Sequence, residues 1–303
     1  MAALAAKLVA RNAIADNITF RPAAGHDGLA CWIAVPDTVN VDRSPLVAVH
    51  GIRRNAYQQA ELFAERANAL GRTVIAPLFS KHDWPRYQQA VRSGRADSAL
   101  LTLLDELKAE AHWHTAQFEL FGFSGGAQFA HRFAMMQPHM VSRLTVASAG
   151  WYTFPDESRF PYGLSPRPDG TDPWCAVTQD TFTRFLAIPT QVCVGADDTA
   201  RDPNLRSGEQ IDAQQGENRL IRGIRWTQAL QDAAKARSLP PRASFIALSG
   251  CDHDFRQCVL RGGLDRVVIP SEKPPRPTIG PCGRDCAACK APCKVGLSLL
   301  RSV

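Results

Sequence analysis

One short stretch restricts the possible fold of this chain more than any other, the pentapeptide Gly122-Phe123-Ser124-Gly125-Gly126. It follows an apolar run and precedes small and apolar residues, which predicts a strand, a sharp turn and a helix. Glycines are needed around the turn because side chains there would collide across it. Ser124 would stand at the tip of the turn and face a cleft. It is our candidate nucleophile, and the alternative is a serine that merely caps the helix.

The helix predicted from Gly125 to Met135 begins directly after the serine. The first N–H groups of a helix have no partner within it, and the helix dipole is positive at that end. The N–H of Gly125 is therefore a candidate for stabilising an oxyanion that forms beside Ser124.

Strand-like and helix-like runs alternate along most of the chain. Strands are predicted at 18–20, 30–35, 44–49, 73–77, 143–149, 189–198 and 243–248, and helices at 56–70, 96–110, 125–135 and 218–236. Such alternation predicts an α/β fold with a mostly parallel central sheet flanked by helices. One main domain over residues 1–269 suits the length of the chain.

The alternation stops at about residues 150–181, which hold several prolines and six aromatic residues without a clear period. Aromatic side chains seek burial, so simple disorder is a poor explanation. We predict an irregular cap insertion over the pocket, with Trp151 and Tyr152 as candidate substrate contacts. The alternative is a surface loop that covers the core.

A nucleophilic serine needs a base, and the base needs an acid that orients it. The run from Pro189 ends in Gly-x-x-Asp, which places Asp198 after a strand, although Asp197 and Asp202 are possible alternatives. His253 follows the strand at 243–248. Because parallel strands end at one edge of a sheet, we predict that Ser124, Asp198 and His253 form a catalytic triad there. Taken singly, a turn-forming aspartate or an ordinary histidine would be the simpler reading.

Four motifs, HGIRRNA, GFSGGA, VGADD and GCDHD, resemble those of bacterial α/β-hydrolases, in particular the esterase and polyhydroxybutyrate-depolymerase-like group. The resemblance covers about residues 17–269 and implies the α/β-hydrolase fold. It implies hydrolysis of a small-molecule or short polymeric carboxylic ester, or a related acyl bond, through an acyl-enzyme on Ser124. It implies no metal or organic cofactor. The N–H of Ile52 would be the second oxyanion-hole donor, and His50 would brace its loop.

Arg53 and Arg54 depart from the family pattern directly after Ile52. If they face the cleft, they could bind a substrate carboxylate through two hydrogen bonds. Solvent exposure is the alternative.

The net charge of +6 is concentrated at the C-terminal end, where six basic residues follow Pro270 against two acidic ones. The rest of the chain is nearly balanced, so we predict no nucleic-acid partner. No apolar run approaches the roughly 18 residues of a membrane span, and no export signal is evident. We expect a cytoplasmic protein with reduced thiols; its oligomeric state is not indicated.

Residues 270–303 are predicted to be a Pro-rich linker and a basic tail. The tail contains the spacing C-x3-C-x2-C-x3-C, formed by Cys282, Cys286, Cys289 and Cys293. Four thiols could bind zinc or an iron–sulfur cluster, but the spacing matches neither type of site, and incidental cysteines are favoured. A second hypothesis for the whole chain follows from the tail: a catalytically silent hydrolase-fold binding or sensor protein that responds to metal or redox state.

Overall fold

The computed structural model describes residues 17–25, 28–91, 94–110, 113–166 and 173–271. Its strands are β1 (Ile18–Arg21), β2 (Ala30–Ala34), β3 (Leu46–Val49), β4 (Val74–Leu78), β5 (Phe118–Phe123), β6 (Val141–Ala147), β7 (Thr190–Gly195) and β8 (Ala243–Leu248). Its α-helices are α1 (Ala56–Ala69), α2 (Ala96–Ala109), α3 (Gly125–Met136), α4 (Gln179–Leu186), α5 (Glu209–Gln215), α6 (Arg219–Lys235), α7 (Phe255–Leu260) and α8 (Leu264–Val268).

Within the described residues these strands form one eight-stranded sheet in the order β1-β2-β4-β3-β5-β6-β7-β8. The first two strands form the predicted hairpin, and β2 pairs antiparallel with β4. All other neighbours in the sheet are parallel. The prediction of a mostly parallel sheet flanked by helices is confirmed.

Both faces of the sheet are covered, as the alternation of side chains along β3 shows. Val47 and Val49 belong to an apolar cluster that includes residues of α2, α3, α4 and α6. Leu46 and Ala48 belong to a second cluster, with residues of α1, α7 and α8. Successive residues of a strand point to opposite faces, so helices pack on each side of the sheet. All four residues of β3 are buried as a result.

Side-chain caps fix the starts of several helices. Asn55 accepts a hydrogen bond from Gln58 N at the start of α1, and Asn218 accepts one from Ile221 N at the start of α6. Each cap satisfies an amide that would otherwise have no partner in the first turn. The loop that leads into α1 leaves the carboxyl end of β3, so the Asn55 cap also holds that edge of the sheet.

Among the described residues of the predicted cap segment, a 3₁₀ turn at Pro173–Ala176 precedes α4. Its aromatic residues face inward: Tyr152 and Trp174 are fully buried, and Phe154 and Phe160 join the larger apolar cluster. The segment therefore covers part of the core. Its role as a cap over the pocket stays a prediction, as does the domain boundary at 269/270, since residues 272–303 lie outside the described part of the chain.

Candidate active site

Ser124 occupies the turn between β5 and α3 with a positive φ of 53°. A Cβ on Gly122 would lie 2.2 Å from Gly126 O, and a Cβ on Gly126 would lie 2.1 Å from Val49 O. Both contacts are with backbone, which cannot move aside cheaply, so neither position accepts a side chain. The Ser124 N–H donates to Ala147 O at 2.8 Å on the adjacent strand end. The turn is thus held in a strained conformation by its packing.

His253 lies beside the serine, with its Nε2 3.1 Å from Ser124 Oγ. Its Nδ1 lies 2.8 Å from Asp198 Oδ2. The imidazole also stacks on Phe123, the last residue of β5, with ring centroids 5.3 Å apart. One nitrogen therefore faces the hydroxyl, the other faces a carboxylate, and the ring plane is fixed by an aromatic neighbour.

The structure distinguishes the three aspartates that the sequence left open. Asp198 follows β7 and is 2% exposed, with its carboxylate against His253. Asp197 is exposed. Asp202 makes an ion pair at 2.6 Å with Arg219. Asp198 is therefore the carboxylate that contacts the imidazole.

Two backbone amides lie near the serine on its other side. A Cβ on Gly51 would lie 3.3 Å from Ser124 Cβ, so the loop after β3 passes directly over the serine. A Cβ on Gly125 would lie 3.4 Å from Ile52 N. In the part of the chain that the structure describes, neither the Ile52 nor the Gly125 amide donates to a protein acceptor. Two free donors beside a serine hydroxyl can stabilise an oxyanion.

His50 holds this loop in place. Its Nδ1 donates to Gly51 O at 2.8 Å, and its Nε2 accepts from Phe79 N at 3.0 Å. The Tyr87 hydroxyl donates to His50 O at 2.6 Å. The side chain is completely buried, and this burial lowers the pKa of His50 to about 4. A neutral imidazole with both nitrogens bound to the main chain braces the loop and is not available as a base, as predicted.

Solved structures with this architecture are numerous. LpqC, a poly(3-hydroxybutyrate) depolymerase from Bordetella parapertussis, is 28% identical with a TM-score of 0.72, over 88% of this chain and 96% of its own. Poly(aspartic acid) hydrolase-1 from Sphingomonas sp. KT-1 is 22% identical with a TM-score of 0.73, over 83% and 98%. The chain therefore has the α/β-hydrolase fold. No family model and no curated protein matches the sequence itself.

An S-formylglutathione hydrolase from Agrobacterium tumefaciens shares the α/β-hydrolase fold more distantly, with 14% identity and a TM-score of 0.52, over 84% of this chain and 99% of its own. At such identities the likeness concerns the fold alone. The resemblance to the esterase and polyhydroxybutyrate-depolymerase-like group, which the four motifs indicated, is confirmed by the set of neighbours.

In this fold the two arginines after Ile52 differ. Arg54 points inward: its Nη1 donates to Phe79 O at 2.7 Å and Trp84 O at 3.0 Å, and its guanidinium lies 4.3 Å from the Tyr87 ring centroid. It therefore joins the loop after β3 to the loop after β4. Arg53 is exposed and makes no ion pair or hydrogen bond within the described residues. Only Arg53 is free to bind a ligand.

The two aromatic residues proposed to contact substrate are both buried. Tyr152 is fully buried and stacks on Trp226 at 4.6 Å, which favours a structural role. Trp151 is 7% exposed and packs 4.7 Å from the Arg132 guanidinium. Neither ring presents a large surface to solvent, so a substrate contact by Trp151 or Tyr152 stays a prediction.

Sequence reasoning missed Arg219, the first residue of α6, which lies 3.2 Å from Asp198 Oδ1. One signal could have revealed it. A cation in the first turn of a helix opposes the helix dipole, so an arginine directly after the Asn218 cap needs a nearby anion. The anion is Asp198, on a loop 21 residues earlier in the chain.

The four tail cysteines proposed as a weak metal site lie outside the described residues, so that hypothesis is untested. Within the described ranges, no group of three or more potential metal-ligating side chains is found. None of the helices in these ranges has the length and hydropathy of a membrane span.

Proposed function

We propose that this protein is a serine hydrolase that cleaves a carboxylic ester, or a related acyl bond, through an acyl-enzyme on Ser124. One observation carries the proposal: an unbroken hydrogen-bond chain from Ser124 Oγ through His253 to Asp198, at 3.1 and 2.8 Å. These hydrogen bonds lie beside two unpaired backbone amides, those of Ile52 and Gly125. A base, an acid and oxyanion donors around one serine are the parts that acyl transfer requires.

In the first half-reaction Ser124 Oγ attacks the carbonyl carbon while His253 Nε2 takes the hydroxyl proton. The carbonyl oxygen becomes an oxyanion and accepts hydrogen bonds from the amides of Ile52 and Gly125. Asp198 stabilises the imidazolium that forms. His253 then gives its proton to the alcohol oxygen as the ester bond breaks, which leaves the acyl group on Ser124.

In the second half-reaction a water replaces the alcohol. His253 takes a proton from the water as the water oxygen attacks the acyl carbon. His253 then gives this proton to Ser124 Oγ as the bond between Oγ and the acyl carbon breaks. The carboxylic acid leaves and the resting serine is restored. No step draws on a group beyond the three side chains and two amides named here.

One neighbour supports the substrate class that we propose. The 28% identical structure is of a poly(3-hydroxybutyrate) depolymerase, whose named substrate is a polyester. We propose a small-molecule or short polymeric ester as the substrate of this chain. The exposed Arg53, one residue after the Ile52 amide, is the side chain best placed to select esters that carry a free carboxylate.

A fluorophosphonate probe tests the proposal, because it reacts covalently only with an activated serine. We expect one label per chain in the wild type and none in Ser124→Ala or His253→Ala. Ser148→Ala is the matched control, since Ser148 also follows a strand of the sheet, has a φ of 49° and is buried. This variant should label like the wild type.

The opposite result would favour the silent binding or sensor protein. A wild type that is folded by circular dichroism and takes up no label would overturn the enzyme assignment. Label that persists in Ser124→Ala would place the reactive residue elsewhere. If labelling behaves as expected, p-nitrophenyl esters of increasing acyl length then define the substrate range.

A further inference from the structure

A buried ion-pair chain continues beyond the candidate triad. Asp198 Oδ2 is 2.8 Å from His253 Nδ1, while its other oxygen, Oδ1, is 3.2 Å from Arg219 Nη1. The same Nη1 lies 2.6 Å from Asp202 Oδ2. The Arg219 side chain is 2% exposed, that of Asp198 is 1% exposed, and that of Asp202 is 31% exposed. The four groups follow one another in the order His253, Asp198, Arg219, Asp202, and the two inner ones are buried while the two ends are partly exposed.

Each charged group in this series is compensated by a neighbour of opposite charge. A buried carboxylate that faced only an imidazole would carry an uncompensated charge in a low-dielectric site. Arg219 supplies the compensating cation, and Asp202 in turn offsets Arg219. Burial alone would raise the pKa of Asp202, yet hydrogen bonding to Arg219 and the nearby His253 lower it overall. Asp202 is thus electrostatically coupled to the imidazole.

Two other titratable groups near Asp198, a tyrosine and a cysteine, are neutral. Burial raises the pKa of the Tyr152 hydroxyl, which comes from the segment after β6. Burial likewise raises the pKa of the Cys258 thiol, which comes from α7. Asp252 and Asp254, on either side of His253 in the chain, are exposed, and Asp254 caps α7 through Gln257 N at 2.7 Å. Arg219 and Asp202 are therefore the charges that modulate the Asp198–His253 pair from within.

We propose that Arg219 is a positioning residue which, balanced by Asp202, fixes the Asp198 carboxylate against His253 and offsets part of its negative charge. The inference rests on the proposed function, in which His253 is the base. With Oδ1 held by Arg219, the carboxylate cannot rotate, so Oδ2 stays directed at His253 Nδ1. The guanidinium also withdraws part of the negative charge that would otherwise stabilise the imidazolium.

The proposal makes two predictions of opposite sign. Removing the cation in Arg219→Gln leaves more negative charge near His253, which stabilises the imidazolium. The imidazole should then titrate about half a unit to one unit higher. Removing the outer anion in Asp202→Asn leaves Arg219 uncompensated, so the imidazole should titrate lower. The double variant should fall near the wild type.

The measurement is a pH titration of the His253 ring carbon signals by NMR in the resting protein. The titration needs no turnover, so it tests the role of Arg219 even if the protein proves inactive. Fluorophosphonate labelling tests the proposed function separately. Where activity is present, the acid limb of kcat/KM against pH should move in the same direction as the titration. Arg219→Lys keeps the positive charge. Its His253 titration midpoint should therefore lie close to that of the wild type, whereas its kcat should recover less completely.

Arg222→Gln is the matched control. Arg222 is a fully buried arginine of the same helix, and its ion pair at 2.8 Å is with Asp212 rather than with Asp198. Arg222→Gln should lower the melting temperature without shifting the titration midpoint of His253. If Arg219→Gln fails to fold, Asp202→Asn alone decides. An unchanged midpoint in Asp202→Asn, or shifts of the same sign in both variants, would overturn the proposal.

Discussion

Two histidines follow strand ends at the same edge of the sheet, and they have different roles. Both nitrogens of His50 are bound to main-chain atoms, and the side chain is completely buried. The nitrogens of His253 face a hydroxyl and a carboxylate, and its side chain is 29% exposed. His50 is held neutral and shapes the oxyanion loop; His253 has the partners of a proton carrier. The hydrogen-bond partners of each imidazole therefore decide its role more than its position at a strand end does.

The largest effect is expected from His253→Ala. Because Ser124 then has no base, kcat/KM should fall by at least about 10⁴-fold. The melting temperature should change little, since the side chain is partly exposed. His114→Ala, at an exposed histidine away from the site, should retain full activity in the same assay. A loss below about tenfold in His253→Ala would remove the contrast between the two histidines.

His50→Ala should affect mainly stability. The change leaves Phe79 N–H without its acceptor and opens a cavity, so the free energy of unfolding should fall by about 3 kcal/mol. Activity in the folded fraction should fall about 10- to 100-fold as the Ile52 amide loses its support. Urea denaturation together with kinetics at 15 °C separates the two effects. Tyr87→Phe, which deletes only the donor to His50 O, should cost about 1 kcal/mol.

The pH dependence of stability should also distinguish the two sites. The folded pKa of His50, about 4, lies below the ordinary value of 6.5, so the unfolded chain binds more protons between these values. Stability is therefore fully present above pH 6.5 and is lost as the pH falls towards 4. Between pH 7 and 5 this group should account for about 2 kcal/mol of the loss.

Urea denaturation at the two pH values measures that difference, with His50→Ala as the reference. The variant should lose about 2 kcal/mol less than the wild type over the interval. His131, whose pKa burial also lowers, contributes equally to both proteins and cancels. Equal losses in wild type and variant would show that His50 is not held neutral by the fold.

The smallest effect is expected from Arg53→Ala, on the exposed side of the His50 loop. Activity on a neutral ester should stay within twofold. Activity on a matched ester that carries a free carboxylate should fall about threefold, since an exposed ion pair contributes below about 1 kcal/mol. Steady-state kinetics on the two esters give the comparison. Losses of equal size on both would refute a carboxylate contact.

Local sequence signals were enough to predict the parts of the fold that local chemistry determines. Glycines around Ser124, strand ends followed by Asp198 and His253, and apolar runs with period-specific spacing all act within a few residues. They predicted the sheet, its flanking helices and the residues that the structure brings together around Ser124. The short helices α4, α5, α7 and α8 were missed, because five to eight residues are too few to show a helical period.

Contacts between distant segments could not be predicted in this way. Arg54 and Arg53 are adjacent and chemically identical, yet only Arg54 reaches the carbonyls after β4. The pairing of Arg219 with Asp198 joins a helix start to a strand end across a loop, and Tyr87 supports His50 from 37 positions away. Such choices depend on which segments the fold brings together, and the sequence pattern of either segment alone does not contain that information.

The close contact between Gly126 and the end of β3 has a consequence for how this site can diversify. A backbone–backbone contact sets the spacing between the serine turn and the loop that carries the Ile52 amide. The proposed reaction uses the amide of Ile52, whereas the side chain of Ile52 is 39% exposed. We therefore expect substitutions at Ile52 to leave its amide in place while they change the surface beside Ser124, which makes this position a natural starting point for redesigning selectivity.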